Sequence, residues 1–419
     1  MQEGSSVGSC PLRFWVSSAC SVISRKCLYF SELKNLLRRA RFNRRCNDCN
    51  NAVTREGHTE ASKAVNQLNQ SMERRMKRIT GNFLAALALA LTVVVFAHAA
   101  LSINGAGASF PYPMYSKWFD EYRKNNPSVE INYQSIGSGG GIKQVTEGTV
   151  DFGASDGPMN DEQLKAFQDK HGFGILHFPT VLGAVVPTYN ISGVSGALNF
   201  TSDALAGIFL GKITKWNDPA IAGANKGVNL PSADIVVVHR SDGSGTTYIW
   251  TDYLSKVNGE WKDKVGKGAS INWPVGLGGK GSEGVTGQIK NTPNSIGYVE
   301  LIYALSNNIP YGSVKNSSGS FIKADLASVS AAAAGAAKTI PDDFRVSITD
   351  APGKNAYPIS SFTWLLIPEK FSDASKRDAI KGFVKWMLKD GQNYTEQLSY
   401  AKLPKEVVAK EEKALAKVQ

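Results

Sequence analysis

FPTVLGAVVPTYN, residues 178–190, is an apolar stretch punctuated by Pro179 and Pro187, and it reads as extended chain. A second stretch of the same kind, AYPISSFTWLLIP, occupies residues 356–368. Between and around them strand-type and helix-type runs alternate from Ala100 onward. VEINY (129–133), VDFGAS (150–155), ADIVVVHR (233–240) and SIGYVEL (295–301) have strand character. NDEQLKAFQDK (160–170) opens on an asparagine N-cap and continues as a helix, and SKRDAIKGFVKWMLKDG (375–391) sets Ile380, Phe383, Val384 and Met387 at helical spacing. Such alternation predicts an α/β protein with largely parallel sheets. If both apolar stretches cross between lobes, one lobe is inserted into the other. Residues 100–182 with 359–419 then form lobe I, and 183–358 form lobe II. A ligand would bind in the cleft between them, where α/β sheets present their C-terminal strand ends. The alanine-rich SVSAAAAGAAK is expected as a surface helix, EVVAKEEKALAKV as a closing lysine-rich helix, and Trp118, Trp250 and Trp386 as packing residues.

Composition is divided along the chain. Of 419 residues, 42% are apolar, ample for about two domains. The formal charge is +11, but residues 1–99 hold 15 Lys and Arg against 6 Asp and Glu, while the remainder holds 32 against 30. The basic excess is therefore N-terminal, and a nucleic-acid face on the globular part is excluded. All five cysteines, Cys10, Cys20, Cys27, Cys46 and Cys49, fall in the same segment. Cys46 and Cys49 form a lone CxxC without a second pair or a nearby histidine at zinc spacing, so no metal or redox site is expected. A cysteine-free body suits an oxidising compartment.

Residues 76–99, MKRITGNFLAALALALTVVVFAHA, explain the division. Lys77 and Arg78 precede an uncharged run from Phe83 to Phe96, and Ala97-His98-Ala99 follows as a small-x-small cleavage site. This is the three-part pattern of a secretory signal. The run is short for a membrane span, which needs about 20 residues. A signal peptide at 72–99, cleaved after Ala99, implies translation from Met72 or Met76, with residues 1–71 a spurious upstream extension or a disordered tail. No cysteine follows the cleavage site, so no lipid anchor is expected.

Three loops share one design, in which small residues open a helix: GAGASFPYPMYSKW (105–118), GSGGGIKQV (137–145) and SDGSGTTYIW (241–250). Glycines let backbone approach a ligand. The first N–H groups of a helix lack internal acceptors and carry the positive dipole end. Three such loops, with Arg240 and the acids Asp156 and Asp242, point to an oxyanion site. Catalytic templates fail. Ser138 and Ser244 do not sit in G-x-S-x-G, His171, His177 and His239 lack an evident catalytic partner, and GLGGKG (276–281) follows INWPV without a downstream ribose-binding acid. No enzyme activity is expected.

On these motifs, with LGKITKWNDPAI and WPVGLGGKG in the same order, the chain resembles the PstS family of periplasmic phosphate-binding proteins, which serve the phosphate-specific ABC importers. The likeness runs from Ser102 to the C-terminus and leaves residues 1–75 without a counterpart. It implies a type II-like periplasmic-binding fold in which each lobe is a mixed sheet flanked by helices. It also implies phosphate held between the lobes by Ser109, Phe110, Ser138, Asp156, Arg240, Ser244, Gly245 and Thr246. Asp156 would accept the phosphate's own proton and Asp242 would orient Arg240. No cofactor and no metal is implied. The implied partners are inorganic phosphate, with arsenate as competitor, and an inner-membrane permease with its ATPase, for a monomer in the periplasm. Gly139 stands where a second serine is frequent, leaving Ser138 as the hydroxyl of that loop. The alternatives are a secreted phosphatase-like enzyme and a binder of another oxyanion.

Overall fold

The computed structural model describes residue 63, residues 66–80, residues 100–194 and residues 196–419. The chain divides into two compact units, 1–96 and 97–419. In the first, residues 66–80 form an exposed helix. The cysteines and residues 81–99 of the secretory signal lie outside the described residues.

The second unit is organised by one long strand, β4 (Ile175–Asn190), almost wholly buried. Its first part, through Ala184, pairs antiparallel with β11 (Ser360–Pro368). From Val185 onward it pairs antiparallel with β8 (Ser295–Glu300). One strand thus belongs to both halves of an eight-stranded sheet, whose strands lie in the order 129–135, 101–107, 152–155, 360–368, 175–190, 295–300, 236–240 and 277–279. The first half contains β1 (Leu101–Gly107), β2 (Val129–Ser135) and β3 (Phe152–Ser155), mutually parallel around β1. The helices α1 (Tyr112–Asn125) and α2 (Ser138–Glu147) connect them. The second half contains β6 (Val236–Arg240) and β7 (Leu277–Gly279), parallel to β8, with α6 (Gly245–Val257) and α8 (Gly281–Asn291) between them. The two antiparallel strands at the centre make each half a mixed sheet, where strand and helix alternation alone predicts parallel ones. The fold is the two-lobed substrate-binding architecture.

Other expectations resolve in detail. Helix α3 (Asp161–His171) carries a full capping box between Asn160 and Gln163. Helix α11 (Ala374–Lys389) buries Ile380, Phe383, Val384 and Met387 as its spacing requires. The strand expected at 233–240 begins only at Val236, because Asp234 is taken up in an antiparallel bridge with Lys215. The alanine-rich helix, α10 (Leu326–Ala337), is not simply a surface element: Val329, Ala332 and Ala333 are buried, their small side chains allowing close approach. Trp118 and Trp250 are fully buried, and Trp386 stacks at the edge of the core on Phe383 and packs at a tilt against Tyr122.

A bulge in the central pair shapes the site. Trp364 lies opposite Pro179 and Thr363 opposite Val181, so Thr180 has no facing residue. Pro179 has no N–H to give the ladder, and a bulge is where a sheet tolerates this. The freed Thr180 is held by Tyr115 Oη at 3.1 Å, the Thr363 carbonyl at 3.2 Å and Gln392 Nε2 at 3.0 Å. Thr363 is thereby fixed beside the end of β3.

Glu411, on the helix α12 (Lys405–Ala414), is completely buried, and neither carboxylate oxygen has a partner among the described residues. Burial pushes its carboxyl well above the usual range. At low pH it is neutral in both folded and unfolded chains. As pH rises, the unfolded chain ionises first, so folded stability is lost with increasing pH. Glu411→Gln is expected to unfold at higher urea than the parent, by roughly 1–3 kcal/mol at about pH 8 and less at about pH 5. Urea titrations at both pH values check this; a pH-independent difference would contradict it.

Candidate anion site at the strand ends

The parallel strands of both halves end at one place. β1 leads to Ala108-Ser109-Phe110, β2 to Gly137-Ser138, β3 to Asp156, β6 to Arg240 and Asp242, and β7 to Gly281-Ser282. Gly107 permits the first of these loops. Its φ is +148°, and a Cβ there would lie 2.0 Å from the Ala154 carbonyl. The carbonyls of Ala108, Ser109 and Phe110 each accept a tyrosine hydroxyl, from Tyr133 at 2.8 Å, Tyr303 at 2.5 Å and Tyr400 at 2.7 Å. Three consecutive peptide planes are thus anchored by their oxygens.

Ser138 is buried at the start of α2. Its Oγ accepts the N–H groups of Asp156 at 3.2 Å and of Gly245 at 3.0 Å, and lies 3.5 Å from Asp156 Oδ2. Asp156 is 1% exposed, and Thr363 Oγ1 donates to its Oδ1 at 2.8 Å. Burial pushes its carboxyl up to about 7, against the opposing influence of the Thr363 hydrogen bond, the Arg240 charge and Ser138. The geometry therefore holds a carboxyl poised between its neutral and ionised forms at neutral pH.

Arg240 is 3% exposed. Its Nε and Nη2 donate to the two oxygens of Asp242 at 2.8 and 2.5 Å, a bidentate pair. Asp242 Oδ1 also accepts the Gly281 N–H at 3.0 Å. Burial alone would raise the Asp242 carboxyl, but the hydrogen bonds and charge of Arg240 hold it below the usual carboxylate range. The arginine's charge is largely offset, and only Nη1 turns away, towards Ser282 Oγ at 3.4 Å. Ser244 caps α6, its Oγ accepting the Thr247 N–H at 3.1 Å. Thr246 is buried, and its Oγ1 has no partner among the described residues. A buried hydroxyl without a partner costs about 1–3 kcal/mol, which an acceptor atom within reach would recover.

The two halves touch across this cluster. Besides Gly245 to Ser138, the Gly139 N–H donates to the Gly243 carbonyl at 2.8 Å. A Cβ on Gly139 would stand 3.0 Å from the Gly243 Cα, so the serine frequent at that position in the resembling family would crowd this approach. Ser109 Oγ and Ser282 Oγ lie 2.9 Å apart.

The structure gathers Ser138, Asp156 and Gly245 into direct contact, pairs Arg240 with Asp242, and links Ser109 to Arg240 through Ser282. Phe110 is buried against Tyr400 with its carbonyl held. Sequence reasoning missed Thr363, Ser282 and Tyr303. Ser282 opens a helix after a glycine-rich turn, the same design that marked the other loops, but that turn reads in the sequence as a failed nucleotide motif and a family motif, not as a source of a polar side chain. Thr363 sits inside an apolar strand, where nothing distinguishes it. The three described histidines each have a local packing or backbone partner. His239 stacks on Trp273 at 4.7 Å, His171 bonds the Thr146 carbonyl, and His177 accepts the Met159 N–H, burial pushing its imidazole down to about 4. Among the described residues no cluster of three or more His, Cys, Asp or Glu could hold a metal ion.

Residues 94–390 match the family model of the PBP superfamily domain. The chain is 46% identical over 309 residues to the phosphate-binding protein PstS of Xylella fastidiosa (strain Temecula1), covering 74% of this chain and 83% of that one. It is 44% identical over 325 residues to the phosphate-binding protein PstS of Pasteurella multocida, covering 77% and 92%. Among solved structures it resembles the high-affinity periplasmic phosphate-binding protein PfluDING, with a TM-score of 0.60 at 22% identity over 74% of this chain and 92% of that one. That likeness bears on the fold alone. Identical to the two PstS proteins at more than two fifths of the aligned positions, over most of their length, the chain belongs to the PBP superfamily and, within it, to the PstS family of phosphate-binding proteins.

Proposed function

We propose that the protein binds inorganic phosphate between its two lobes in the periplasm and delivers it to the membrane permease of an ABC importer. Asp156 carries the reading. An anion site ordinarily avoids a carboxylate, because like charges at contact repel. A carboxyl is tolerated beside an oxyanion that brings a proton to donate. Hydrogen phosphate and dihydrogen phosphate have one at neutral pH, and arsenate does too; sulfate does not. The other groups fit the same ligand. Ser109, Ser138, Ser244 and Thr246 supply hydroxyls, Phe110 supplies an N–H group, Gly245 closes the third loop with its N–H on Ser138 Oγ, and Arg240 supplies one cation offset by Asp242. The PstS name of the curated relatives supports the same substrate. The lobes are taken as 100–182 with 359–419, and 183–358. The change of β4 partner between Ala184 and Val185 supports that division. The secretory pattern at 72–99 supports export, and the protein works as a monomer without turnover.

Calorimetric titration with phosphate and sulfate tests the reading. Phosphate should bind at micromolar concentration or below, and sulfate should not compete. Asp156→Asn removes the repulsive acceptor. It is expected to narrow the preference for phosphate over sulfate by about 10- to 100-fold, the worth of one buried charged group left without a donor. Unchanged selectivity in that variant would refute the role of Asp156.

A second expectation follows from the bidentate Arg240–Asp242 pair. With the cation offset and most donors neutral, phosphate affinity should change by less than about threefold between ~0.01 M and ~0.15 M salt. Isothermal titrations across that range would show a steep loss instead if net charge held the ligand.

A further inference from the structure

We propose that Ser282 and Tyr303 are positioning residues of this site, acting on the phosphate through Ser109 from the opposite lobe; the proposal rests on the phosphate reading above. Ser109 belongs to the loop after β1, in the first half of the sheet. Ser282 lies in the first turn of α8, and Tyr303 lies on α9 (Leu301–Ser306), which follows β8 directly; both belong to the second half. All three side chains are buried.

Both oxygens of Ser109 are held from across the cleft. Its Oγ accepts the Ser282 N–H at 3.2 Å and lies 2.9 Å from Ser282 Oγ, which in turn faces Arg240 Nη1 at 3.4 Å. Its carbonyl accepts Tyr303 Oη at 2.5 Å. A hydroxyl whose lone pair is occupied by a backbone N–H is biased to act as a donor. With Arg240 Nη1 donating to Ser282 Oγ, the Ser282 hydroxyl proton falls on Ser109 Oγ as well, so the Ser282 N–H and hydroxyl together fill the lone pairs of Ser109 and turn its own proton outward for an incoming oxyanion. Tyr303 acts on the next donor. In a trans peptide the Ser109 carbonyl and the Phe110 N–H point in opposite directions. Anchoring the oxygen on Tyr303 aims the Phe110 N–H the other way and polarises it. Both contacts exist only when the lobes are together, so closure and donor alignment are one event. The corresponding contact on the second loop, Gly245 N–H to Ser138 Oγ, has the same sense.

The test is phosphate titration of the full chain and five variants, with the ligand-free thermal midpoint as a folding control. The parent should bind and Ser109→Ala should bind more weakly. Failure of either overturns the site reading, and this proposal with it. Ser282→Ala and Tyr303→Phe are each expected to weaken binding by about two- to tenfold, one neutral hydrogen bond's worth. Ser282→Thr keeps the hydroxyl and should restore parental affinity. In a Ser109→Ala background Ser282→Ala should cost nothing further, because it works through the missing hydroxyl, whereas a residue that merely packs would cost the same in both backgrounds. Tyr303→Phe keeps the ring and provides an arm independent of Ser282. Equal Ser282→Ala losses in the two backgrounds overturn the role of Ser282. Unaltered affinity in Tyr303→Phe overturns that of Tyr303.

Discussion

A carboxyl group buried against an anion site, beside an arginine whose charge is already offset, is the constraint on which the rest depends. Arg240 stabilises the Asp156 carboxylate only in part, less than burial opposes it, because Asp242 holds that guanidinium at two points. Nor is that carboxylate solvated. Its fixed partners are the Thr363 and Ser138 hydroxyls, which leaves room for one more donor. The site is therefore incomplete until something supplies a proton along with negative charge. Under the proposed function that requirement is chemical rather than steric, and it would separate oxyanions of nearly the same size and shape.

The fold brings this carboxyl within the influence of that arginine's charge. Asp156 follows β3 and Arg240 ends β6, on opposite sides of the shared strand β4. The bulge at Thr180 sets Thr363 against Asp156. The glycine-to-glycine approach of residues 139 and 243 lets one loop lie directly on the other. A side chain at either position would push apart loops whose hydrogen bonds are near 3 Å, and a few tenths of an ångström is enough to weaken them.

Much of this was legible in the chain itself. The two central strands announced themselves by apolar content and prolines, though only β4 runs through both halves, and the three helix-opening loops by their small residues. What stayed hidden depends on register and on contacts far apart in sequence. The antiparallel strands β4 and β11 meet across more than 170 positions, and strand character says nothing of direction. Thr363 is one hydroxyl in a buried strand, and only pairing reveals that it faces Asp156. Tyr303 reads as an ordinary core aromatic, and its hydroxyl matters because of a carbonyl 194 positions away. The alanine-rich helix misled because alanine is at home on a surface and equally in a close packing contact.

The protonation state of Asp156 with and without ligand tests the central claim most directly. Infrared difference spectra at about pH 6, below the raised value near 7, can follow it on addition of phosphate. The expected result is loss of a protonated-carboxyl stretch and gain of a carboxylate band, both missing in Asp156→Asn, as the ligand's proton replaces the one Asp156 held. A protonated-carboxyl band that persists with phosphate bound would contradict it, because Asp156 would then be donating to the anion instead of accepting from it.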